Sequence, residues 1–271
     1  MKLMSIGKYA LAKKYITYRY TRDLVRKSNT TDLAIKELIE GESEYWNTEN
    51  SNKNSTVVTT QRDYLAGITS TDITRRFLLP EDIVEAHDEG IIHFHDADYF
   101  AQNALHNCDL INLEDMLQNG TNINGVMIEK PHRFLTAMTI ATQLITAVSS
   151  SQYGGCTITL THLAPFVRES YKRHFDKYKK RKFSKEDCEK YAKEDLKKEI
   201  TDGVQTFQYQ INSMTTTNGQ APFLSVCMYL GETKKYKEEL AMLIEEFLKQ
   251  RIGATSDVTL DNLLCLICSA L

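Results

Sequence analysis

The stretch PEDIVEAHDEGIIHFHD, from Pro80 to Asp96, predicts the class of the fold. It begins with a proline and two carboxylates. These are typical of a helix start, because proline tolerates the first turn and acidic side chains interact favourably with the helix dipole. Gly90 is a typical residue after the end of a helix. The apolar residues that follow predict a strand over 91–96, and a helix, a glycine and a strand in immediate succession indicate an α/β protein.

The segments on either side extend this prediction to a helical N-terminal region followed by alternating strands and helices. Helices are predicted over 4–27 and 33–40, with a capping motif at Asn29–Asp32 between them and a stop at Gly41. The later elements are predicted, in chain order, as a strand after Cys108, a buried helix over 131–148, a strand from Cys156, charged helices over 170–211, a strand over 224–230 and a helix over 234–251. This order favours a parallel sheet or barrel whose loops carry the chemistry at the strand ends.

The composition is that of an ordinary soluble globular protein. The chain has 271 residues, of which 42% are apolar and 25% charged, and its net charge of −3 gives no general attraction to nucleic acid or membrane. The six cysteines follow no disulfide spacing, and neither a secretory signal nor a transmembrane run is recognised. The expectation is therefore a cytoplasmic protein with no nucleic-acid or membrane partner.

Two histidines of the predicted strand, His93 and His95, are candidate functional residues. Residues two apart in a strand project to the same side, so both imidazoles are expected on one face. Such a pair can begin a metal site, with His162 as a later ligand, or anchor a substrate or a neighbouring thiol, or simply be solvated. No carboxylate clearly completes a ligand set after His162, so no metal is predicted. A His-x-His metal-dependent hydrolase remains an alternative function.

A cysteine and two polar loops are the other candidates. Cys108 follows His106 and Asn107 at the edge of a predicted strand, where a thiol near imidazoles can be reactive, although most single cysteines are small buried hydrophobic residues. The loops SSSQYGG (149–155) and TTTNGQAPF (215–223) place hydroxyl and amide side chains before a glycine and beside a strand. Such loops suit phosphate or sugar hydroxyl groups.

Two further patterns are assigned no functional role. Cys265 and Cys268 form a C-x-x-C, but no second pair accompanies it, and zinc needs four ligands. Residues 172–199 contain 12 Lys and Arg against 7 Asp and Glu. These mixed signs favour exposed helices with i,i+4 ion pairs over a nucleic-acid surface.

Several segments taken together are far more specific than any one of them. They occur in the order NSNKN, QRDYLAG, RRFLLPEDIVEAHDEGIIHFHDADYF, NCDLINLEDMLQNGT, MIEKPHRFLTA, IATQLITAVSSSQYGG, HLAPFV and TTNGQAPF. Over residues 10–251 they closely resemble the N-terminal half of anaerobic (class III, glycyl-radical) ribonucleoside-triphosphate reductases.

The resemblance implies a fold and a domain organisation. The fold would be the first half of the ten-stranded α/β barrel of glycyl-radical enzymes, preceded by an N-terminal helical segment. Residues 1–28 would be a remnant of an ATP-cone domain, its last helix. Residues 29–251 would be the N-terminal half of the catalytic barrel, and 252–271 a divergent tail.

The resemblance also implies the reaction, which is the reduction of ribonucleoside triphosphates to 2′-deoxyribonucleoside triphosphates for DNA synthesis. In this family a glycyl radical, installed by an S-adenosylmethionine iron–sulfur activating enzyme, generates a thiyl radical on a finger-loop cysteine. Formate or a thiol system is the reductant, ATP and deoxyribonucleoside triphosphates are allosteric effectors, and zinc is bound near the C-terminus. A homodimer is expected.

The matching motifs imply individual site residues. Cys108 matches the second cysteine, which lies on the other face of the ribose, and His93 and His95 resemble residues lining the same pocket. Glu114 and Lys130 lie in the region that resembles the effector-binding site. The substrate-binding residues implied by the polar segments are Asn107, Ser150, Ser151, Gln152, Asn218 and Gln220.

From Ile252 onward the sequence departs from the family pattern. The chain is therefore expected to be a truncated portion without the finger-loop cysteine, the zinc-binding cysteines or the radical glycine, and to be inactive alone. The alternative within the family is a non-catalytic fragment that binds nucleotide or dimerises with a full-length partner.

Overall fold

The computed structural model describes residues 7–41, 57–101, 107–123, 125–152, 154–217, 219–254 and 263–266, and for 20–30, 253–254 and 263–266 it describes the backbone alone. The chain divides into two compact units. The N-terminal unit comprises residues 1–49 and 55–104, and the C-terminal unit comprises residues 50–54 and 105–271. Each unit is described by itself.

The N-terminal unit is helical in its described part. Its elements are α1 (Tyr9–Glu40), α2 (Val58–Ile73), a π-helical segment (Thr74–Leu78), α3 (Glu81–Asp88) and the short α4 (Ala97–Phe100). Helix α2 packs against α4. At this contact Ser70 Oγ and Thr74 Oγ1 donate hydrogen bonds to Ala97 O at 3.0 and 3.2 Å. These two hydroxyls fix the start of α4 on the side of α2.

Helix α1 replaces the two helices predicted near the N-terminus. It continues without a break through the predicted capping motif Asn29–Asp32, so that part of the prediction is wrong. Asparagine, threonine and aspartate each cost less than about 1 kcal/mol inside a helix, so a long helix can absorb them. The predicted stop is confirmed, because Gly41 has a left-handed φ of 77° and its N–H bonds to Glu37 O and Leu38 O.

Residues 91–96 form no strand, so this part of the prediction from the 80–96 stretch is wrong. The helix and its end are confirmed by α3 and by the left-handed φ of 74° at Gly90. The N–H groups of Ile91 and Ile92 then both donate to Ala86 O, at 2.9 and 3.2 Å. The backbone here is bonded to the end of its own helix and not to a neighbouring strand, which is the physical reason for the difference.

The C-terminal unit alternates strands and helices. Its elements are, in chain order, β1 (Asp109–Leu110), α5 (Leu113–Gln118), β2 (Thr121–Ile123), β3 (Val126–Ile128), α6 (Phe134–Ser149), β4 (Cys156–Thr159), a 3₁₀ turn (Leu160–Leu163), α7 (Ala164–Lys180), α8 (Lys185–Ser213), β5 (Leu224–Cys227), α9 (Lys237–Ala254) and β6 (Leu263–Leu266). Strands β1, β4, β5 and β6 pair in that order and all in parallel, while β2 and β3 form a separate antiparallel hairpin. The predicted α/β class with a parallel sheet is therefore confirmed.

The helix predicted over 131–148 is α6, and it is buried along most of its length. It packs against α8 at Gly203, where a Cβ atom would lie 2.7 Å from Phe134 Cε1. A glycine is therefore required at this close approach of the two helices, because any side chain would displace the ring. None of the helices in the described segments is long and apolar enough to cross a membrane.

A buried carboxylate joins α6, α7 and α8. Glu199 on α8 is 5% exposed. Its Oε1 accepts hydrogen bonds from Leu135 N–H at 3.2 Å and from Ser170 Oγ at 3.0 Å, and its Oε2 lies 2.6 Å from His174 Nε2. Burial alone would raise the pKa of Glu199, but these hydrogen bonds hold its pKa below the ordinary value. The charged carboxylate thus satisfies an N–H in the first turn of α6, where no intrahelical partner exists.

Candidate functional site

Three polar segments meet at one edge of the parallel sheet. Residues 107–108, 150–155 and 216–223 directly precede β1, β4 and β5. Because these strands are parallel and in register, with Asp109 beside Cys156 and Cys156 beside Leu224, the three segments lie together at the amino edge. This edge brings together the predicted residues Asn107, Cys108, Ser150, Ser151, Gln152 and Gln220. Asn218 lies outside the described residues.

The thiol of Cys108 is exposed at this edge. Its Sγ lies 3.3 Å from Asn107 Oδ1, to which the S–H group donates. The next residue, Asp109, donates its N–H to Gly155 O at 3.1 Å, which ties the segment to the loop before β4. A Cβ atom at Gly154 would lie 2.0 Å from Asn107 O, so only glycine fits there. The close backbone approach holds the cysteine in place while its thiol stays accessible to a ligand.

Gln152 and Cys156 lie beneath this exposed thiol. Gln152 is 1% exposed, and only one orientation of its amide satisfies its neighbours, with the nitrogen donating to Asp109 Oδ2 at 3.0 Å and Gly155 O at 3.3 Å. Burial raises the pKa of Cys156, although the hydrogen bond with Ser149 opposes this shift. Cys156 is thus a protonated core thiol, and Gln152 supports the loop. The predicted contact of Gln152 with substrate stays a prediction.

The two polar loops are joined by a serine. Ser150 Oγ donates to Thr146 O at 2.9 Å at the end of α6 and accepts from Thr217 N–H at 3.3 Å. Ser151 beside it is exposed, whereas Gln220 is 4% exposed. Thr216 is also 4% exposed, and in the described part of the chain its hydroxyl has no hydrogen-bond partner. The sequence analysis missed Thr216 as a candidate, although it lies inside the TTTNG motif.

His93 and His95 belong to the N-terminal unit, where they form an imidazole cluster with His87. His93 Nε2 lies 3.3 Å from His95 Nδ1, and their ring centroids are 5.4 Å apart. The ring of His87 is 5.5 Å from that of His93, and its Nδ1 accepts the Phe94 N–H at 3.2 Å. The two predicted imidazoles therefore do lie side by side, although a local turn and not a strand brings them together. The third imidazole, from α3, was not expected.

Comparison with known proteins settles the family. The model of the family described as anaerobic ribonucleoside-triphosphate reductase matches residues 49–259. The chain belongs to this family. The match continues past residue 251, after which the sequence predicts a divergent tail.

Members of the reductase family from enteric bacteria are similar to this chain over most of its length. It is 41% identical over 233 residues to the anaerobic ribonucleoside-triphosphate reductase of Salmonella typhimurium. That alignment covers 85% of this chain and 32% of the Salmonella protein. It is 39% identical over 255 residues to the anaerobic ribonucleoside-triphosphate reductase of Escherichia coli, and this alignment covers 93% of this chain and 35% of the Escherichia coli protein. The chain thus spans about a third of the length of these relatives.

A solved structure shows the same fold class at low identity. The anaerobic ribonucleotide reductase of Thermotoga maritima with citrate in the active site has a TM-score of 0.51 and 14% identity to this chain, over 92% of this chain and 47% of that one. The likeness concerns the fold alone.

The two residues carried over from the reductase family as effector ligands, Glu114 and Lys130, have different surroundings. Burial lowers the pKa of His162, and the charge of Glu114, in the first turn of α5, opposes this shift. Lys130 Nζ lies 3.1 Å from Glu169 Oε1 and 6.0 Å from the ring centroid of Phe166. Their joint role at an effector stays a prediction.

We expect no tightly bound metal at His93 and His95 of this reductase chain. No group of three or more His, Cys, Asp or Glu side chains in the described segments is arranged to hold an ion. Metal analysis of the purified chain is expected to find well below one ion per molecule. One firmly held ion per chain, lost on His93→Ala and retained on His132→Ala, would contradict this expectation.

Proposed function

We propose that this chain forms the N-terminal part of the catalytic domain of an anaerobic ribonucleoside-triphosphate reductase, and that Cys108 acts directly on the ribose of the substrate. The observation that carries the proposal is the exposed thiol of Cys108 at the amino edge of the sheet, flanked by Asn107 and the loops 150–155 and 216–223. The family membership of residues 49–259 supports the reaction type.

The chemistry at this edge suits a sugar. The thiol S–H donates to the Asn107 side-chain oxygen in the structure. When it turns from this acceptor toward a ring placed above it, the S–H can give its proton to a leaving hydroxyl, which departs as water and leaves a thiolate. The exposed Ser151, together with Ser150 and Gln220, supplies hydroxyl and amide groups on the loops next to that position. Asn218 is proposed as a further substrate-binding residue from the sequence alone. Gln152 holds the loop from below. A role of His93 and His95 in the reaction is proposed from the motif match alone.

The finer architecture is also part of the proposal. We infer that residues 29–251 are the first half of a ten-stranded barrel, with 1–28 a remnant of an ATP-cone and 252–271 a divergent tail. The four parallel strands support this, and so does the position of β1 at the edge of the sheet formed by the described strands, where Leu110 is 84% exposed. Closure of a barrel would cover such an edge.

The proposal includes partners and cofactors of the whole enzyme. A glycyl radical, installed by a radical S-adenosylmethionine activating enzyme, would supply the unpaired electron, and the accessible thiol of Cys108 fits a site of that chemistry. Formate is the proposed reductant. ATP and a deoxyribonucleoside triphosphate are the proposed effectors, and Glu114 and Lys130 are proposed to lie near the deoxyribonucleoside triphosphate. The proposed assembly is a homodimer. The zinc site is assigned to the C-terminal part of the family.

A chimeric enzyme tests this function. Residues 49–259 of this chain would replace the aligned segment of the Escherichia coli relative, followed by anaerobic activation and an assay for deoxyribonucleotide formation. Measurable turnover is expected, because the segment would supply the same thiol and loops. A folded, dimeric chimera that carries the glycyl radical but forms no product would instead support a non-catalytic binding fragment.

A further inference from the structure

The turn between α7 and α8 has a defined and unusual geometry. At the end of α7 the Lys182 N–H donates to Lys179 O at 3.0 Å, and the Phe183 N–H donates to Tyr178 O at 3.3 Å. The rings of Tyr178 and Phe183 meet edge to face at 5.6 Å. This pair of hydrogen bonds with an accompanying apolar contact is the Schellman arrangement of a helix C-terminus. Residues 179–183 are called the hairpin tip below.

The hairpin tip places a lysine where glycine is favoured. Lys182 has a φ of 61°, in the left-handed region that L-residues with a Cβ atom adopt only at a cost in free energy. Glycine is the usual residue at this position of a Schellman motif. A lysine retained at this cost suggests that its side chain serves a purpose.

The hairpin tip is a cluster of cations without carboxylate partners. Lys179, Lys180, Arg181 and Lys182 are consecutive and exposed, and no salt bridge within the described part of the chain involves any of them. The neighbouring lysines differ: Lys177 pairs with Asp195 at 2.7 Å, and Lys185 pairs with Glu189 at 3.9 Å.

The structure therefore separates charges that are mixed in the sequence. Residues 172–199 carry both signs, with 12 Lys and Arg against 7 Asp and Glu, and this mixture predicts no nucleic-acid surface. At the turn itself, residues 179–187 carry five cations and only two acids, Glu186 and Asp187. Those two acids lie in the first turn of α8, where they interact favourably with the helix dipole.

An aromatic ring lies beside these cations. Phe183 is 43% exposed. Its inner side is held edge to face by both Tyr178 and Tyr191, with centroids 5.6 Å away in each case. The ring is thus partly open to solvent and cannot easily turn away, so a flat ligand could stack on it.

We propose that the hairpin tip binds single-stranded nucleic acid. Cations that contact the phosphate backbone beside an aromatic stacking surface are the combination that sequence-tolerant single-strand binders use. Lysines are point charges and suit phosphate contacts without base readout. A membrane surface fits less well, because Phe183 is the one large apolar side chain exposed among residues 179–183, and interfacial helices bury a whole apolar face.

Fluorescence anisotropy with the full chain and a labelled oligothymidylate of about 20 nucleotides tests the proposal, since that length exceeds the site size of one binding fold. The variant Lys179→Gln, Lys180→Gln, Lys182→Gln is expected to bind about 10-fold more weakly at low salt. The slope of log K against log salt should fall by about 2, at roughly 0.7 per lost phosphate contact. The matched control is Lys172→Gln, Lys193→Gln, Lys198→Gln, which removes the same charge from exposed helix positions and should bind like the parent.

A single substitution separates binding from folding. Lys182→Gly is expected to raise the thermal midpoint by about 2 °C, because it removes the cost of the left-handed backbone, and to weaken oligonucleotide binding. A higher midpoint with unchanged binding would overturn the proposal, as would equal loss of binding in both triple variants. A third outcome would also overturn the proposal. In that outcome the parent chain binds phosphatidylserine vesicles or polyglutamate but not oligonucleotides, and this binding is lost in the triple variant at Lys179, Lys180 and Lys182. The partner would then be a membrane or an acidic protein. None of these measurements depends on reductase turnover.

Discussion

Replacing Cys108 by serine in the chimeric reductase is expected to abolish deoxyribonucleotide formation and to leave the glycyl radical formable. Serine keeps the size and the hydrogen bond to Asn107 but replaces a weak, acidic S–H with a strong O–H bond. The proposed reaction requires the thiol itself, so turnover should fall by about three orders of magnitude or more, as for other residues that act in a catalytic unit. Product analysis gives the turnover, and electron paramagnetic resonance of the activated enzyme gives the radical content.

Cys227→Ser is the matched control for this experiment. Cys227 lies on β5 of the same sheet and is only partly buried, but it is at the carboxyl end of that strand, whereas Cys108 precedes β1 at the amino edge. We expect this variant to retain turnover within a few-fold of the parent. Retained turnover in the Cys108 variant, or loss of the radical in it, would refute the role assigned to this thiol.

Replacing Glu199 by alanine is expected to destabilise the fold by about 3 kcal/mol or more, because the truncation leaves several buried donors without an acceptor. The affected groups are Leu135 N–H, Ser170 Oγ and His174 Nε2. The same serine accepts the Phe134 N–H at 2.8 Å, so two of the first-turn N–H groups of α6 depend on this network. Urea unfolding followed by circular dichroism measures the loss.

Two comparisons make the Glu199 result specific. Glu194→Ala removes an exposed carboxylate from the same helix and should change stability by no more than about 0.5 kcal/mol. The Glu199→Gln variant should have a lower free energy of unfolding than the parent, and this difference should be larger at neutral than at acid pH. Because the folded pKa of Glu199 is below its unfolded value, its stabilisation is present above the unfolded pKa and is lost as pH falls through the folded pKa. If the free energies of unfolding of the parent and the Gln variant differ by the same amount at all pH values, the lowered pKa assigned to Glu199 is wrong.

The features that the sequence predicted well are those set by neighbouring residues. The left-handed glycines at 41 and 90 end α1 and α3 as expected, because a helix C-terminus needs a residue that tolerates positive φ. The apolar run of α6 was recognisable because apolar residues occupy most sides of the helix. The strand over 91–96 was mispredicted for a related reason. A strand needs a partner elsewhere in the chain, and here the backbone of Ile91 and Ile92 bonds to the preceding helix.

The residues of the candidate site also fall into those that the sequence predicted and those that only the structure revealed. Motif order alone pointed to Cys108 and to the loops before β4 and β5, and it placed the chain in its family. It could not show that Gln152 is almost fully buried and bonded to the sheet, or that the buried Thr216 hydroxyl has no hydrogen-bond partner among the described residues. It also missed His87 beside His93, because that contact depends on how the chain turns after Gly90.

The sequence by itself determined the glycine-terminated helix ends, the α/β class and the family, and it predicted Cys108 as the reactive thiol. These depend on local backbone preferences, dipoles and motifs that act over a few residues. Only the tertiary structure decided that the polar loops meet at the amino edge of the sheet and that Glu199 on α8 bonds to the start of α6, 64 residues away. It also decided that the consecutive cations of the hairpin tip have no carboxylate partner among the described residues, whereas Lys177 pairs with Asp195. The physical reason is that parallel pairing and burial join groups far apart in the chain, so their partners cannot be deduced from neighbouring residues.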